Sequence, residues 1–152
     1  ELPKILPGTK VIIDGPHGIY TEKLITKDKL LFIAGGIGIT PNRSILESLG
    51  IRHPDKILLY SNKTKKESIL ADELLQLSEA NQFRIINVYA DEVVEGAEHG
   101  RLDKDTIARL VPDIADRDIF LCGPPPMMTA LRAAMIDLGV PKSQIHFERF
   151  AL

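Results

Sequence analysis

The chain alternates short apolar runs with stretches whose apolar residues recur at helical spacing, and this alternation restricts its fold more than any other feature. The apolar runs are 30–34, 57–60, 84–89, 118–122 and 144–150. The stretches between them predict helices over 41–49, 67–80, 103–110 and 125–138. Continuous apolar runs of this length are typical of parallel strands covered on both faces, and the alternating last run is typical of an edge strand. The sequence therefore predicts an α/β fold with a doubly wound, five-stranded parallel sheet and helices on both faces.

The first 29 residues do not follow this alternation. Residues 11–14 predict a strand, residues 15–18 predict a turn, and residues 27–29 are a polar link into the first apolar run. We interpret this strand as the remnant of a different structural unit.

Composition excludes several classes of protein. The net charge is −2 and no basic stripe is present, so we expect no nucleic-acid binding. A single cysteine excludes a disulfide scaffold, a CxxC zinc site and a cysteine-ligated iron–sulfur cluster within this chain, and we expect no metal site. No run approaches the ~18 apolar residues of a membrane span, so we expect no membrane contact by this chain itself.

Ligands of open α/β sheets bind at the carboxyl ends of the strands, so the residues that follow each run are the candidate site. After the first run, a glycine-rich loop leads to Thr40 and Pro41, which we expect to be the N-cap and the first residue of a helix. Such a loop can bring the backbone close to a phosphate, or it can be a tight strand-to-helix turn. Pro41 occupies the third glycine position of G-x-G-x-x-G, and no Walker A lysine follows.

Two other loops complete the candidate edge. The fourth run ends at Cys122, which precedes one glycine and three prolines and is either a small packing residue or part of the site. The second run ends before Lys63, Lys65 and Lys66, and no acidic residue stands at that strand end. An acid there suits the 2′-hydroxyl of an adenosine ribose, whereas a cation suits a 2′-phosphate.

Together, the motifs at 35–41, 122–127 and 148–150 resemble the ferredoxin–NADP⁺ reductase superfamily, and residues 15–18 match the end of that family's flavin-binding barrel. Residues 58–64 are similar to the cytochrome b5 reductase branch, which favours NADH. The ending at 146–150 resembles bacterial ferric-reductase-like flavoproteins.

This resemblance implies a role for each matching residue. The residues expected to hold the pyrophosphate and frame the nicotinamide are Gly36, Gly38, Thr40 and Pro41, and those expected to face the adenosine ribose are Ser61, Asn62 and Lys63. Cys122 would lie beside the nicotinamide C4, in a pocket shaped by Gly123, Pro124 and Met127. Glu148 and Phe150 would approach the flavin, and Gly15, Pro16 and Gly18 would lie on the flavin side of the domain boundary. The candidate catalytic residues are Cys122, Glu148 and Thr40.

The family's FAD-binding Arg-x-Tyr-Ser/Thr motif is missing, because none of Tyr20, Tyr60 and Tyr89 has an arginine two positions before it. We therefore expect residues 1–26 to be the C-terminal remnant of a flavin-binding barrel with its linker, and residues 27–152 to be an NAD(P)-binding domain. FAD would then belong to a flavin-binding domain upstream in a longer parent protein, and not to this chain.

The expected function is the NAD(P)H-binding part of an FAD-dependent oxidoreductase, with NADH favoured. Hydride would pass from NAD(P)H to the flavin, and electrons would continue to an acceptor such as ferric iron (as a chelate), haem or an iron–sulfur protein. The alternative is a non-catalytic nucleotide-binding subunit for electron transfer or regulation. The resemblance implies a cytoplasmic location, or the cytosolic side of a membrane-anchored parent protein. A response regulator would need acids after the first run, and a flavodoxin would need a Ser/Thr-rich loop there; Ala34 and Gly35 stand there instead.

Overall fold

A parallel sheet of six strands forms the centre of the computed structural model, which describes residues 8–12 and 18–148. The strands are β1 (Lys29–Gly35), β2 (Asp55–Asn62), β3 (Arg84–Tyr89), β4 (Glu98–His99), β5 (Asp118–Cys122) and β6 (Ile145–Glu148). Their spatial order is β4-β3-β2-β1-β5-β6, so the direction of winding reverses between β1 and β5. This confirms the predicted fold class and corrects the strand count from five to six. No helix in the described residues is long and apolar enough to span a membrane.

Four helices cover the sheet, and they are α1 (Ile39–Leu49), α2 (Ala71–Asn81), α3 (Lys104–Leu110) and α4 (Pro125–Asp137). One buried cluster joins α1 and α2 to a face of the sheet through residues such as Leu46 and Leu74. A second cluster joins α3 and α4 to the opposite face through residues such as Ile107 and Leu131. Because both faces are covered, the side chains of β1 and β5 are buried on both sides, as the continuous apolar runs predict.

Two predicted helix starts differ from the structure. Thr40 is not the N-cap of α1: the helix begins at Ile39, and the Thr40 hydroxyl donates to the Ile37 carbonyl over 3.0 Å. Helix α2 begins at Ala71 rather than at residue 67, because residues 65–67 form a separate 3-10 turn. Leu70 precedes α2 with a left-handed backbone (φ +58°), so it lies outside the helix whose apolar face it was predicted to share.

The remaining helix boundaries follow local chemistry. The Asp103 carboxylate caps α3 by accepting from the Thr106 backbone N–H over 2.8 Å. Helix α4 begins with two prolines and is followed by Gly139, whose φ of +87° is the left-handed conformation that glycine favours after a helix.

The segment before β1 is fastened to the sheet at two points. The buried Tyr20 hydroxyl donates to the Asn42 side-chain oxygen over 2.6 Å. Further along, the buried Asp118 carboxylate accepts from the backbone N–H groups of Thr26 and Lys27. The strand predicted over 11–14 is not formed at Val11 and Ile12, which are exposed, and its other two residues lie outside the described part.

An ion cluster closes the amino ends of three central strands. Arg117, only 4% exposed, makes paired hydrogen bonds with the carboxylates of Asp55 and Asp113. Lys29 also pairs with Asp113 over 2.8 Å. These contacts lower the pKa of Asp113 to about 2, chiefly through its hydrogen bonds with Arg117. The cluster thus ties β1, β2 and the approach to β5 together at the edge opposite the candidate site.

Candidate functional site

A cleft of about 650 Å³ lies at the carboxyl edge of the sheet, beside the point where the winding reverses. Its volume lies within the usual range of small-molecule sites. The segments that follow β1, β2, β3, β4 and β5 line it, with Gly35, Gly36, Ser61, Asn62, Lys63, Glu67, Ala90, Asp91, Arg101, Leu102, Pro124, Pro126, Met127 and Ala130. Six of the predicted cofactor-binding residues are among them: Gly36, Ser61, Asn62, Lys63, Pro124 and Met127.

The loops after β1 and β5 pack tightly against each other, and this packing explains two glycines. A Cβ added to Gly35 would lie 2.5 Å from the Met127 sulfur and 2.8 Å from Cδ of Pro124. A Cβ added to Gly38 would overlap the backbone carbonyl of Cys122. Glycine at these positions therefore lets the two loops meet, and the loop–loop contact forms one wall of the cleft.

The other predicted pyrophosphate residues have different surroundings. Gly36 lines the cleft with a left-handed backbone (φ +52°), and no atom would meet a Cβ there. Gly38, Thr40 and Pro41 do not line the cleft: Gly38 is buried against the β5 loop, and the other two lie in the first turn of α1. Their predicted contact with the cofactor stays a prediction.

At the end of β2 and just after it, one side chain has a structural role and two are available to a ligand. The side-chain amide of the buried Asn62 donates to the Ser68 hydroxyl over 3.1 Å, which in turn lies 3.3 Å from the Tyr89 hydroxyl. Asn62 thus holds the loop in place. Ser61 is half-buried and Lys63 is exposed, and both line the cleft, so these two side chains are available to a ligand.

Cys122 lies away from the cleft. Its side chain is fully buried, in the same apolar cluster as Tyr20 and Phe120. Burial, and next the negative charge of Glu148, raise the pKa of the Cys122 thiol to about 11, so the thiol is neutral at physiological pH. Its backbone carbonyl, and not its sulfur, meets the loop after β1. The predicted position beside the nicotinamide stays a prediction.

The residues expected near a flavin are only partly described. Glu148 is half-buried on the edge strand β6, in register with Cys122, and Gly18 is exposed. Gly123, which was expected to shape the nicotinamide pocket, belongs to the loop after β5, and an added Cβ there would be 3.1 Å from the Gly35 nitrogen. Gly15, Pro16 and Phe150 lie outside the described residues. Within residues 8–12 and 18–148, no three His, Cys, Asp or Glu side chains form a cluster that could hold a metal ion.

Three charged residues in the cleft were missed by sequence reasoning, namely Glu67, Asp91 and Arg101. Asp91 follows β3 by two residues, and its backbone N–H donates to the Lys63 carbonyl over 2.9 Å, which extends the pairing of β2 and β3. The signal was present in the chain: acids and a basic residue follow the strands at 91 and 101.

Comparisons with known proteins agree with this geometry. The family model described as the oxidoreductase NAD-binding domain matches residues 32–133. NADH-cytochrome b5 reductase 1 of Lodderomyces elongisporus is 36% identical over 144 residues, which cover 90% of this chain and 48% of that protein. Flavohemoprotein A of Dictyostelium discoideum is 30% identical over 147 residues, covering 94% of this chain and 36% of that protein.

A solved structure agrees as well. The FAD/NAD-binding domain of nitric oxide dioxygenase from Vibrio cholerae superposes with a TM-score of 0.74 at 29% identity, covering 83% of this chain and 53% of that one. The chain thus spans about a third to a half of the length of the two curated relatives.

Proposed function

Because the chain belongs to the oxidoreductase NAD-binding domain family, we propose that its cleft binds NAD(P)H and presents the nicotinamide to a flavin. The activity of a whole reductase is part of this proposal, since the chain spans only part of its relatives' length. One observation carries it: the glycine loop after β1 and the proline-rich loop after β5 form a single cleft at the reversal of winding.

The residues on the walls of the cleft suggest which end of the dinucleotide lies at which side of the sheet. Pro124, Pro126 and Met127 make an apolar wall after β5, which suits a flat nicotinamide ring and excludes water from it. The carboxylates of Glu67 and Asp91 lie in segments after β2 and β3, which suits the hydroxyl groups of the adenosine ribose. The dinucleotide would therefore run along the carboxyl edge, with its nicotinamide at the β5 side.

The two carboxylates favour NADH over NADPH. A ribose 2′-hydroxyl can donate a hydrogen bond to a carboxylate, whereas a 2′-phosphate is repelled by it. Lys63 is the counterargument, because a cation in the same part of the cleft suits a phosphate. Arg101 is a second cation in the cleft, but it follows β4, whereas Glu67, Asp91 and Lys63 lie in the segments after β2 and β3. Within those segments two acids oppose one lysine, so we propose NADH as the preferred cofactor.

The chain's own part in the reaction would be positioning. Hydride transfer between nicotinamide and flavin is chemistry that the cofactors supply when bound, and the protein aligns them and removes water. The loop–loop contact through Gly35 and Gly38 fixes the wall that would hold the nicotinamide. The Cys122 side chain lies outside the cleft, and its neutral thiol would add no charge near that wall.

The partners follow from the relatives' names. Cytochrome b5 reductase, flavohemoprotein and a ferredoxin reductase component are among them, so we propose haem or an iron–sulfur protein as the electron acceptor, with a ferric chelate as a further candidate. A flavin-binding domain would precede this one, with residues 1–26 as the end of its barrel and linker and residues 27–152 as the nucleotide-binding domain.

Titration calorimetry of NADH and NADPH into the 152-residue chain tests the proposal. We expect both to bind and NADH to bind more tightly. Replacing Asp91 with Asn should reduce the NADH preference severalfold, because it removes one of the two charges that repel a 2′-phosphate.

A matched control is Glu79→Asn, which removes an exposed acid on α2 that does not line the cleft, and its NADH preference should be unchanged. Absence of binding by either dinucleotide would contradict the proposed function. A clear preference for NADPH would contradict the choice of NADH alone.

A further inference from the structure

Arg101 stands in the cleft on a segment with fixed backbone geometry. It follows Gly100, whose N–H donates to the Tyr89 carbonyl over 2.9 Å and whose φ is +108°. On its other side, Leu102 packs partly into the core, and Asp103 caps α3. Because Gly100, Leu102 and Asp103 are anchored, the backbone of Arg101 has a fixed position. Its side chain is exposed.

The Arg101 side chain has no protein partner in the described part of the chain. Each of five other arginines there has one: Arg43, Arg109 and Arg117 pair with carboxylates, Arg52 donates to backbone carbonyls, and Arg132 stacks on Phe147. The exceptions are Arg84 and Arg101. Arg84 is the first residue of β3, at the opposite edge of the sheet, so among the arginines that the structure describes only Arg101 combines a place in the cleft with an unpaired guanidinium.

The neighbouring carboxylates do not pair with the Arg101 guanidinium. Glu67 and Asp91 also line the cleft, yet no ion pair within 4.0 Å joins either of them to Arg101 among the described residues. A guanidinium presents several N–H donors in a planar fork that matches the oxygens of a phosphate group. The same cleft contains Gly36, where the backbone is open to a ligand.

We propose that Arg101 binds a phosphate group of the dinucleotide, in the cleft that it shares with the glycine loop. This inference rests on the proposed function, since it assigns a residue to the same ligand. NADH offers only the pyrophosphate, and NADPH offers a 2′-phosphate as well. Arg101 lines the cleft from the segment after β4, so either group could be its ligand.

The test compares dissociation constants of NADH and NADPH for the unaltered chain, Arg101→Gln and Arg101→Lys. For Arg101→Gln we expect binding to weaken by about tenfold or more, as for the loss of a hydrogen bond to a charged group. Arg101→Lys should recover only part of the loss, because an ammonium group keeps the charge and lacks the fork. Weakening of both dinucleotides identifies the pyrophosphate, and weakening of NADPH alone identifies the 2′-phosphate.

Two further measurements separate a phosphate contact from a structural role. Binding to the unaltered chain should weaken as salt rises, and binding to Arg101→Gln should weaken less, because screening acts on the charge that the variant lacks. Arg84→Gln removes the same charge at the opposite sheet edge and should bind both dinucleotides normally. Equal affinities for Arg101→Gln and the unaltered chain would overturn this inference, and failure of the unaltered chain to bind either dinucleotide would instead overturn the proposed function.

Discussion

At the scale of single residues, the glycines of the first loop differ in what they do. Gly36 has a left-handed backbone and faces the cleft, so it can serve a ligand. Gly38 faces protein, because any side chain there would meet the carbonyl of Cys122. The glycines of this motif therefore meet two separate physical requirements: Gly36 leaves space for a ligand, and Gly38 lets two loops pack together.

Gly38→Ala should destabilise the domain by about 2 kcal/mol, the usual cost of overpacking against atoms that cannot move freely. The new methyl group must displace backbone of the β5 loop rather than a flexible side chain. Urea unfolding of both proteins measures the difference. Gly18→Ala is the matched control, since an added Cβ there meets no atom within 4 Å, and equal losses in both variants would contradict the packing argument.

At the scale of elements, a buried lysine secures the turn that joins α1 to β2. The Lys56 ammonium group donates to the carbonyls of Gly50, Arg52 and His53 at 2.7 to 3.1 Å. Burial lowers the pKa of Lys56, and the three carbonyls offset part of that cost. His53 has a left-handed backbone at φ +54°, a strained conformation for a residue with a side chain, so the turn depends on this support.

Lys56→Met should therefore destabilise the domain by about 1 to 3 kcal/mol, because three part-buried carbonyls lose a charged donor. It should also make the turn after α1 more accessible to trypsin at Arg52. Thermal unfolding and limited proteolysis measure the two effects. Lys66→Met, at an exposed lysine, should change neither, and a fully stable Lys56→Met would show that the apolar stem of Lys56 matters more than its charge.

The elements also show how much of the fold could be predicted. Four continuous apolar runs and one alternating run predicted five of the strands, and all four predicted helices form, although two of them begin at other residues than predicted. These elements were predictable because their signals are local. Strand β4 could not be predicted, since its two residues join the sheet only through their register with β3. The continuous run predicts that Cys122 is buried, but it could not predict which face of the sheet the side chain enters, because a strand buried on both faces lacks the alternation that would show it.

The site was predictable in outline for a related reason. The family suggested by the loop motifs is confirmed, and six predicted residues line one cleft. The charged residues Glu67, Asp91 and Arg101 were missed because they belong to loops whose paths depend on tertiary contacts, such as the Gly100–Tyr89 hydrogen bond. The glycine and proline motifs predict the backbone conformation of the loops, but they do not predict which charged side chains line the cleft.

At the scale of the whole molecule, acid resistance should depend on the ion cluster around Arg117. The pKa of Asp113 is about 2 in the folded chain, below the ordinary value near 4, so its carboxylate stabilises the fold fully above about pH 4. That contribution is lost as pH falls from about 4 through 2. Because Lys29 is half-exposed and solvent screens the charges, the Asp113 carboxylate contributes only about 1 to 2 kcal/mol to the free energy of unfolding.

Asp113→Asn should accordingly be less stable than the unaltered chain by that amount at pH 7, and the two should converge near pH 2. Urea unfolding at several pH values between 7 and 2 measures the gap. Asp116→Asn, three residues further on at an exposed acid, should show no pH-dependent gap. A constant difference for Asp113→Asn across this range would contradict the assignment of its stabilising effect to the ionised carboxylate.

Because Cys122 is buried, the rate at which its thiol reacts with a reagent reports transient opening of the folded domain. It is the chain's single cysteine, and it lies on β5 between β1 and β6. With a pKa of about 11, roughly one thiol in ten thousand is ionised at pH 7, and none of its surface is accessible in the closed sheet. An alkylating reagent can therefore reach the thiol only while the layer that covers it, formed by α1, α2 and the segment around Tyr20, moves away from the sheet. The labelling rate thus measures such openings without any engineered probe.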